Sequence, residues 1–159
     1  HRKREPRIPD GNGDGTGETA FGMENSVSRH DGADAPYWDG LQQGKLVLPR
    51  CSGCHRWAWP AGHRCGVCGN LGNTWFELPM RATVFAWTRT WHRFGMTESL
   101  PLPFTSVVAE VDDCGVRLLG RFEDQDDATP RIGESLAGHP GTTTVGDDHI
   151  PTIIWSRSR

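Results

Sequence analysis

The sequence has no long apolar run. Its longest stretches, such as Thr105 to Ala109 and Ile153 to Trp155, are only a few residues. A membrane helix needs ~20, and no hydrophobic region of a signal peptide is present either, so no membrane partner is expected. A basic excess is also missing, because 17 Lys and Arg face 20 Asp and Glu, a net charge of -3 with a sequence pI near 6.2. Strong nucleic-acid binding normally needs a basic footprint, and no nucleic-acid partner is expected. Gly-x-Ser-x-Gly, His-Glu-x-x-His and a Gly-Lys-Ser/Thr phosphate loop do not occur, which removes the commonest hydrolase, metalloprotease and nucleotide-enzyme signatures. Five cysteines cannot form a complete disulfide framework, and four of them sit in two close pairs that read as metal ligands. That usage fits a reducing, cytoplasmic compartment.

What is present fits one domain, or two small units sharing a core, in 159 residues. With 35% hydrophobic residues and 20 glycines, the chain reads as strand-rich and loop-rich rather than as a helical bundle. Residues 1–35 stand apart, with six glycines, seven acidic and five basic residues and almost no apolar periodicity. Such a composition cannot offset its ordering entropy, so a tail or linker is expected there. The chain opens His1-Arg2-Lys3-Arg4 without methionine, as an excised C-terminal domain would. From Pro36, Tyr37, Trp38 and Leu41 fall at helical spacing, with Asp34 as cap and Gly44 as stop. Leu46 to Leu48 then leads as a strand into Cys51. A helix plus metal ribbon is expected over 36–76 and a β domain over 77–159. In the latter, Ala82 to Trp91, Phe104 to Val111, Val116 to Phe122, Leu136 to Val145 and Ile150 to Trp155 read as five short strands. Asp112 to Gly115 supplies one hairpin turn. A small closed or partly closed barrel follows from that count.

Cys51-Ser-Gly-Cys54 and Cys65-Gly-Val-Cys68 carry the strongest chemical signal. A two-residue gap lets both thiolates of a pair face one corner of a tetrahedron around zinc. Ten residues separate the pairs, which makes two knuckles of a zinc ribbon. Gly69 and His55 hold matching places after the knuckles, where positive φ is commonly required. With four thiolates there is no open position, so a structural zinc is expected. A redox dithiol is the competing reading of Cys-x-x-Cys.

The other candidates are weaker. His92 stands alone at a loop entrance and reads as a rim residue. Glu123 to Asp127 lacks the glycine and closing glutamate of a calcium loop and reads as a solvated turn. Cys114 reads as a free surface thiol. Trp57, Trp59 and Trp75 are expected to join ribbon to barrel. The loop from His92 to Pro103 is unusually apolar, with Phe94, Met96, Leu100 and Leu102, and in a small barrel this connection lies at the ligand rim. These four residues are candidates for contact with a partner or an acyl chain, against the alternative that they plug the barrel end. A single-stranded nucleic-acid module would need a basic groove with aromatic platforms. From residue 36 on, 12 basic residues face 13 acidic ones.

Tyr37-Trp38-Asp39-Gly40-Leu41, Gly44-Lys45-Leu46, Pro49-Arg50-Cys51 with Cys54, Trp59-Pro60 and Cys65 to Gly69 together resemble the start of the DUF35 family. The likeness continues through Thr83 to Thr88, Pro103 to Val111, Gly115 to Gly120, Ile132-Gly133 and Pro151 to Trp155. It departs at Met80-Arg81-Ala82, where relatives often carry glycine, and over Ala137 to Asp148. This resemblance implies a short helix, a rubredoxin-like zinc ribbon and a C-terminal five-stranded OB-fold barrel. It also implies an accessory or scaffold subunit of acyl-CoA metabolism, without independent catalysis, that supports a thiolase-like enzyme and shares acyl-CoA as ligand. One branch of the family forms an aldolase that removes a steroid side-chain fragment, its DUF35 unit lying C-terminal to a MaoC-like hydratase domain. The implied partners are therefore a thiolase-like enzyme and a MaoC-like hydratase.

Overall fold

The computed structural model describes residues 32–95, 97–124 and 128–158. The tail expected over 1–35 lies outside the described residues as far as residue 31, as do Met96 and residues 125–127 of the acidic run. Helix α1 spans Ala35–Gln42, with Pro36 in its first turn, where the missing N–H costs nothing. Its buried residues Tyr37 and Leu41 are four apart and face the core together. Asp34 occupies the N-cap but makes no side-chain cap bond. Its carboxylate instead accepts the Trp38 indole N–H at 2.9 Å, which fixes the ring at the helix start. Gly44 stops the helix at φ 79°, and the Lys45 amide turns back to the Gly40 carbonyl at 2.8 Å.

Strand β1 (Leu46–Cys51) pairs antiparallel with β2 (Asn73–Leu78), Leu46 opposite Leu78 and Cys51 opposite Asn73. The strand read over Leu46 to Leu48 is longer than its apolar run, because cross-strand bonds carry it to Cys51. β2 escapes the sequence reading altogether. No residue of it is fully buried, so the alternation that marks a strand is faint there.

The remaining strands are β3 (Arg81–Thr90), β4 (Phe104–Val111), β5 (Arg117–Phe122), β6 (Ser135–Val145) and β7 (Asp148–Arg157). They close into a barrel in the order β3-β4-β5-β7-β6. All neighbours are antiparallel except β5 and β7, which run parallel through Arg121–Ile154 and Phe122–Trp155. One helix, a ribbon and a five-stranded OB-type barrel are thus the architecture, as expected. The poorly matching stretch from Ala137 still forms most of β6, with Pro140 opposite Ile153. A bulge between Val84 and Ala86 sharpens the turn of β3. It leaves Phe85 exposed beneath the Arg117 guanidinium, 3.5 Å from the ring centroid.

The core is continuous between ribbon and barrel. Tyr37, Leu41, Leu46 and Leu48 pack in one cluster with Val84, Val107, Leu118 and Trp155, and Trp57, Trp59 and Trp75 lie against it, half-buried. Cys114 belongs to this edge too. It is a free thiol, as read, but half-buried rather than on the surface, and burial pushes its pKa up.

Trp155, on β7, is fully buried and lies between glycines of the two neighbouring strands. A Cβ at Gly120 of β5 would fall 2.6 Å from its indole, and one at Gly138 of β6 would fall 2.8 Å from it. The bare backbones of those strands make the slot that the indole fills. Gly120→Ala also meets the Ile153 carbonyl at 2.8 Å, which backbone cannot easily yield. It is expected to destabilise the fold by about 2 kcal/mol or more, within the overpacking range, measured by urea unfolding.

Arg157 closes the end of β7. Its Nε donates to Glu134 Oε1 at 2.6 Å, Nη2 to the Thr129 carbonyl at 2.8 Å, and Nη1 to Asp124. The Arg131 amide, first, and then Arg157 hold the Glu134 carboxyl below the usual carboxylate range. A depressed folded-state pKa means that this stabilisation is complete above the unfolded value and is lost as pH falls through the folded one. Glu134→Gln should therefore lower Tm at neutral pH, with the difference from wild type vanishing in acid, as followed by melts across pH 7 to 2.

Candidate metal centre

Cys51 ends β1 and Cys54 follows it on the first knuckle, while Cys65 and Cys68 form a second knuckle that returns the chain to β2. The two knuckles repeat one set of backbone bonds. Cys51 N–H donates to Arg56 O and Cys65 N–H to Asn70 O, both at 2.9 Å. His55 N–H returns to Cys51 O at 3.0 Å, and Gly69 N–H to Cys65 O at 2.9 Å. The residues closing these turns have φ of 58° at His55 and 74° at Gly69, as their places after each pair predict. Histidine thus bears a strain that glycine avoids. The knuckles are tied together by Asn70 Nδ2, which donates to Ser52 Oγ at 2.9 Å, and by that hydroxyl, which donates to Gly72 O at 3.1 Å.

This frame brings all four sulfurs within 4.8 Å of one another. The cross-knuckle distances are 3.6 Å for Cys51–Cys68 and 3.7 Å for Cys54–Cys65. A tetrahedron with Zn–S of about 2.3 Å has edges of about 3.8 Å, so the donor set fits zinc without rearrangement. None of the cysteines is in a disulfide. The amides of Cys68 and Val67 draw the Cys65 thiol down to about 6. Cys51 is also lowered, chiefly by the Cys54 amide. At Cys54 the Arg56 amide pulls down, but burial and the three neighbouring thiols outweigh it and push it up to about 11. Four sulfurs this close cannot all ionise without a cation among them, and Zn2+ would supply that charge while the cysteines hold its coordination closed.

The apolar loop between β3 and β4 holds the other sequence candidates. Phe94 is 59% exposed, Leu102 is exposed and Leu100 half-buried. Met96 is outside the described residues. Phe94 packs loosely toward Phe104, with ring centroids 6.5 Å apart. The plug alternative therefore fits Leu100 better than Phe94. Trp91, 62% exposed under the Arg89 guanidinium, extends the same patch. It was read as a strand end, although its size and its place at the loop entrance were signals. His92 is exposed on this rim. Asp124 of the acidic run is tied to Arg157.

Residues 38–73 match the family model for the ChsH2 rubredoxin-like zinc ribbon domain. The ribbon is thus similar in sequence to the ChsH2 zinc ribbon. Among solved structures, a chain of an "Ltp2-ChsH2(DUF35) aldolase" superposes with a TM-score of 0.67 at 18% identity, over 83% of this chain and 97% of that one. A DUF35 protein of unknown function from Sulfolobus solfataricus superposes at 0.53 with 19% identity, over 79% and 85%. A search of curated protein sequences gives no match. The DUF35 likeness read from the residues is thus found in the ChsH2-type ribbon and in the fold. No described helix is long and apolar enough to cross a membrane.

Structural zinc contributes on the order of 10–16 kcal/mol in small finger peptides at neutral pH. The ChsH2-type ribbon has little core of its own beyond what it shares with the barrel. Cys51→Ser or Cys68→Ser should lose zinc and melt the ribbon, read as metal content per chain and as a lowered Tm. Well-folded wild type without zinc would contradict this.

Proposed function

We propose that the chain is the non-catalytic accessory subunit of a cytoplasmic acyl-CoA-metabolising complex. It binds and supports a thiolase-like enzyme, in the manner of a steroid side-chain retro-aldolase, and helps position the acyl-CoA at the shared face. A MaoC-like hydratase domain is the second partner in this reading. The observation that carries it is the joint match: a ribbon similar to that of ChsH2, in a fold that superposes along 97% of a chain of an "Ltp2-ChsH2(DUF35) aldolase".

The exposed loop between β3 and β4 supports the same reading. Trp91, Phe94 and Leu102 present apolar surface that a solitary chain has little reason to keep. Fully covering an exposed Leu or Phe side chain contributes roughly 1.5–3 kcal/mol before the entropy of association is subtracted, and the partly exposed Phe94 and Leu102 would contribute a proportionate fraction. The nucleic-acid alternative gains no comparable support.

The test is co-expression with the thiolase-like enzyme of the same source, followed by co-purification and a CoA-ester cleavage assay. Phe94→Asp and Leu102→Asp should weaken co-purification at least tenfold while leaving Tm unchanged. Turnover by the isolated chain, or undiminished capture by both variants, would overturn the proposal.

A further inference from the structure

Residues 40–76 contain no aspartate or glutamate, yet carry Lys45, Arg50, Arg56 and Arg64. Residues 77–159 show the opposite balance, eight arginines against twelve carboxylates. The net charge of -3 over the whole chain hides this segregation. A zinc tetrathiolate adds two negative charges at the ribbon's centre, but the surface around it stays cationic.

The posture of the arginines fits a receptor for carboxylates. Arg64 Nε donates to the Gly69 carbonyl at 3.1 Å. Arg50 Nε donates to the His55 carbonyl while its guanidinium lies 5.7 Å from the Trp57 ring centroid. Each side chain is thereby held in place, which lowers the entropy lost on binding. Leu71, 74% exposed, is bridged across the backbone to Arg64, and Val67 on the same knuckle is 65% exposed. Leu71 also borders an open groove of about 540 Å³ with Pro36, His63 and Trp75. Arginines beside exposed aliphatic side chains are a composition that protein interfaces favour.

We propose that the cationic ribbon, around Arg56, Arg64, Val67 and Leu71, is a second docking surface, in addition to the loop between β3 and β4, for an acidic face of the thiolase-like enzyme. Glu77, near the end of β2, is paired to Lys45 at 3.0 Å and leaves these arginines their charge. This rests on the accessory-subunit reading. A nucleic acid fits less well, because the ribbon's rings are already engaged. Trp57 packs edge-on to Phe76 at 5.5 Å beneath Arg50, and Trp59 packs on Tyr37 at 4.3 Å. A free phosphate fits less well too, since the Gly53 amide is turned onto Cys51 Sγ at 3.4 Å and is not offered to an anion.

The full chain is co-expressed with the thiolase-like enzyme as wild type, as Arg56→Glu/Arg64→Glu, and as Leu71→Asp. Zinc content and Tm check that each ribbon is intact. Capture should fall at least tenfold in both variants, and wild-type capture should weaken steeply between 50 and about 500 mM salt, as charge-steered association does. Wild-type capture with no loss in either folded variant overturns the docking surface and leaves the accessory reading standing. Absence of wild-type capture overturns both. A labelled dT oligonucleotide or CoA binding the wild type and losing affinity in Arg56→Glu/Arg64→Glu, while enzyme capture persists, would assign the cations to phosphate instead.

Discussion

The constraint on which the rest depends is the convergence of four sulfurs within 4.8 Å. The ten-residue loop between the cysteine pairs buries Trp57 and Trp59 only partly against the core, which by itself would not bring the two knuckles together. Once the knuckles are pinned, the chain leaving Cys68 must return beside β1, and β2 forms although none of its residues is fully buried. The two-stranded ribbon then presents Leu46 and Leu48 to the barrel. A zinc bound by these sulfurs would supply the order that hydrophobic area cannot supply in so short a segment.

The barrel obeys a different constraint. Its interior is filled by Trp155 lodged between the bare backbones of Gly120 and Gly138. Those glycines look like loop residues in a linear reading, yet both lie within strands. The indole N–H is buried without a partner among the described residues, a cost of order 1–3 kcal/mol that the surrounding packing offsets. Ribbon and barrel meet in one cluster, so disturbance of the metal frame has a direct path to the barrel wall through Leu48 and Tyr37.

Legibility in the sequence followed the same physics. The strands of the barrel could be read because inward positions such as Val107, Ala109 and Val111 alternate with outward ones. Both knuckles could be read because thiolate geometry fixes their spacing, and the φ values at His55 and Gly69 bear this out. β2 could not, since metal geometry and pairing hold it rather than alternation. The role of Asp34 was also hidden, because a cap residue and a partner for the Trp38 indole look alike in sequence. Cys114 was misplaced for a related reason: its position beside a turn says nothing of the core edge beneath it. The charge segregation was plainly present in the residues, but it vanishes when charge is summed over the whole chain.

These packing facts bear on where such a molecule can act. A barrel of this size can hold a ligand only if its interior is left open, and here an indole and the inward residues of every strand occupy it. The four-sulfur site, once closed around a metal, has no coordination position to offer a substrate. The groove beside Pro103, Phe104 and Phe122 measures about 160 Å³, and the larger hollows beside Leu41, Arg157 and Leu71, of about 390 to 540 Å³, are open surface grooves. Among the described residues, what remains unusual is surface: an apolar loop at one barrel connection and a ribbon with an excess of cations. Both are features that water and folding alone would not favour, and both become intelligible when another macromolecule covers them.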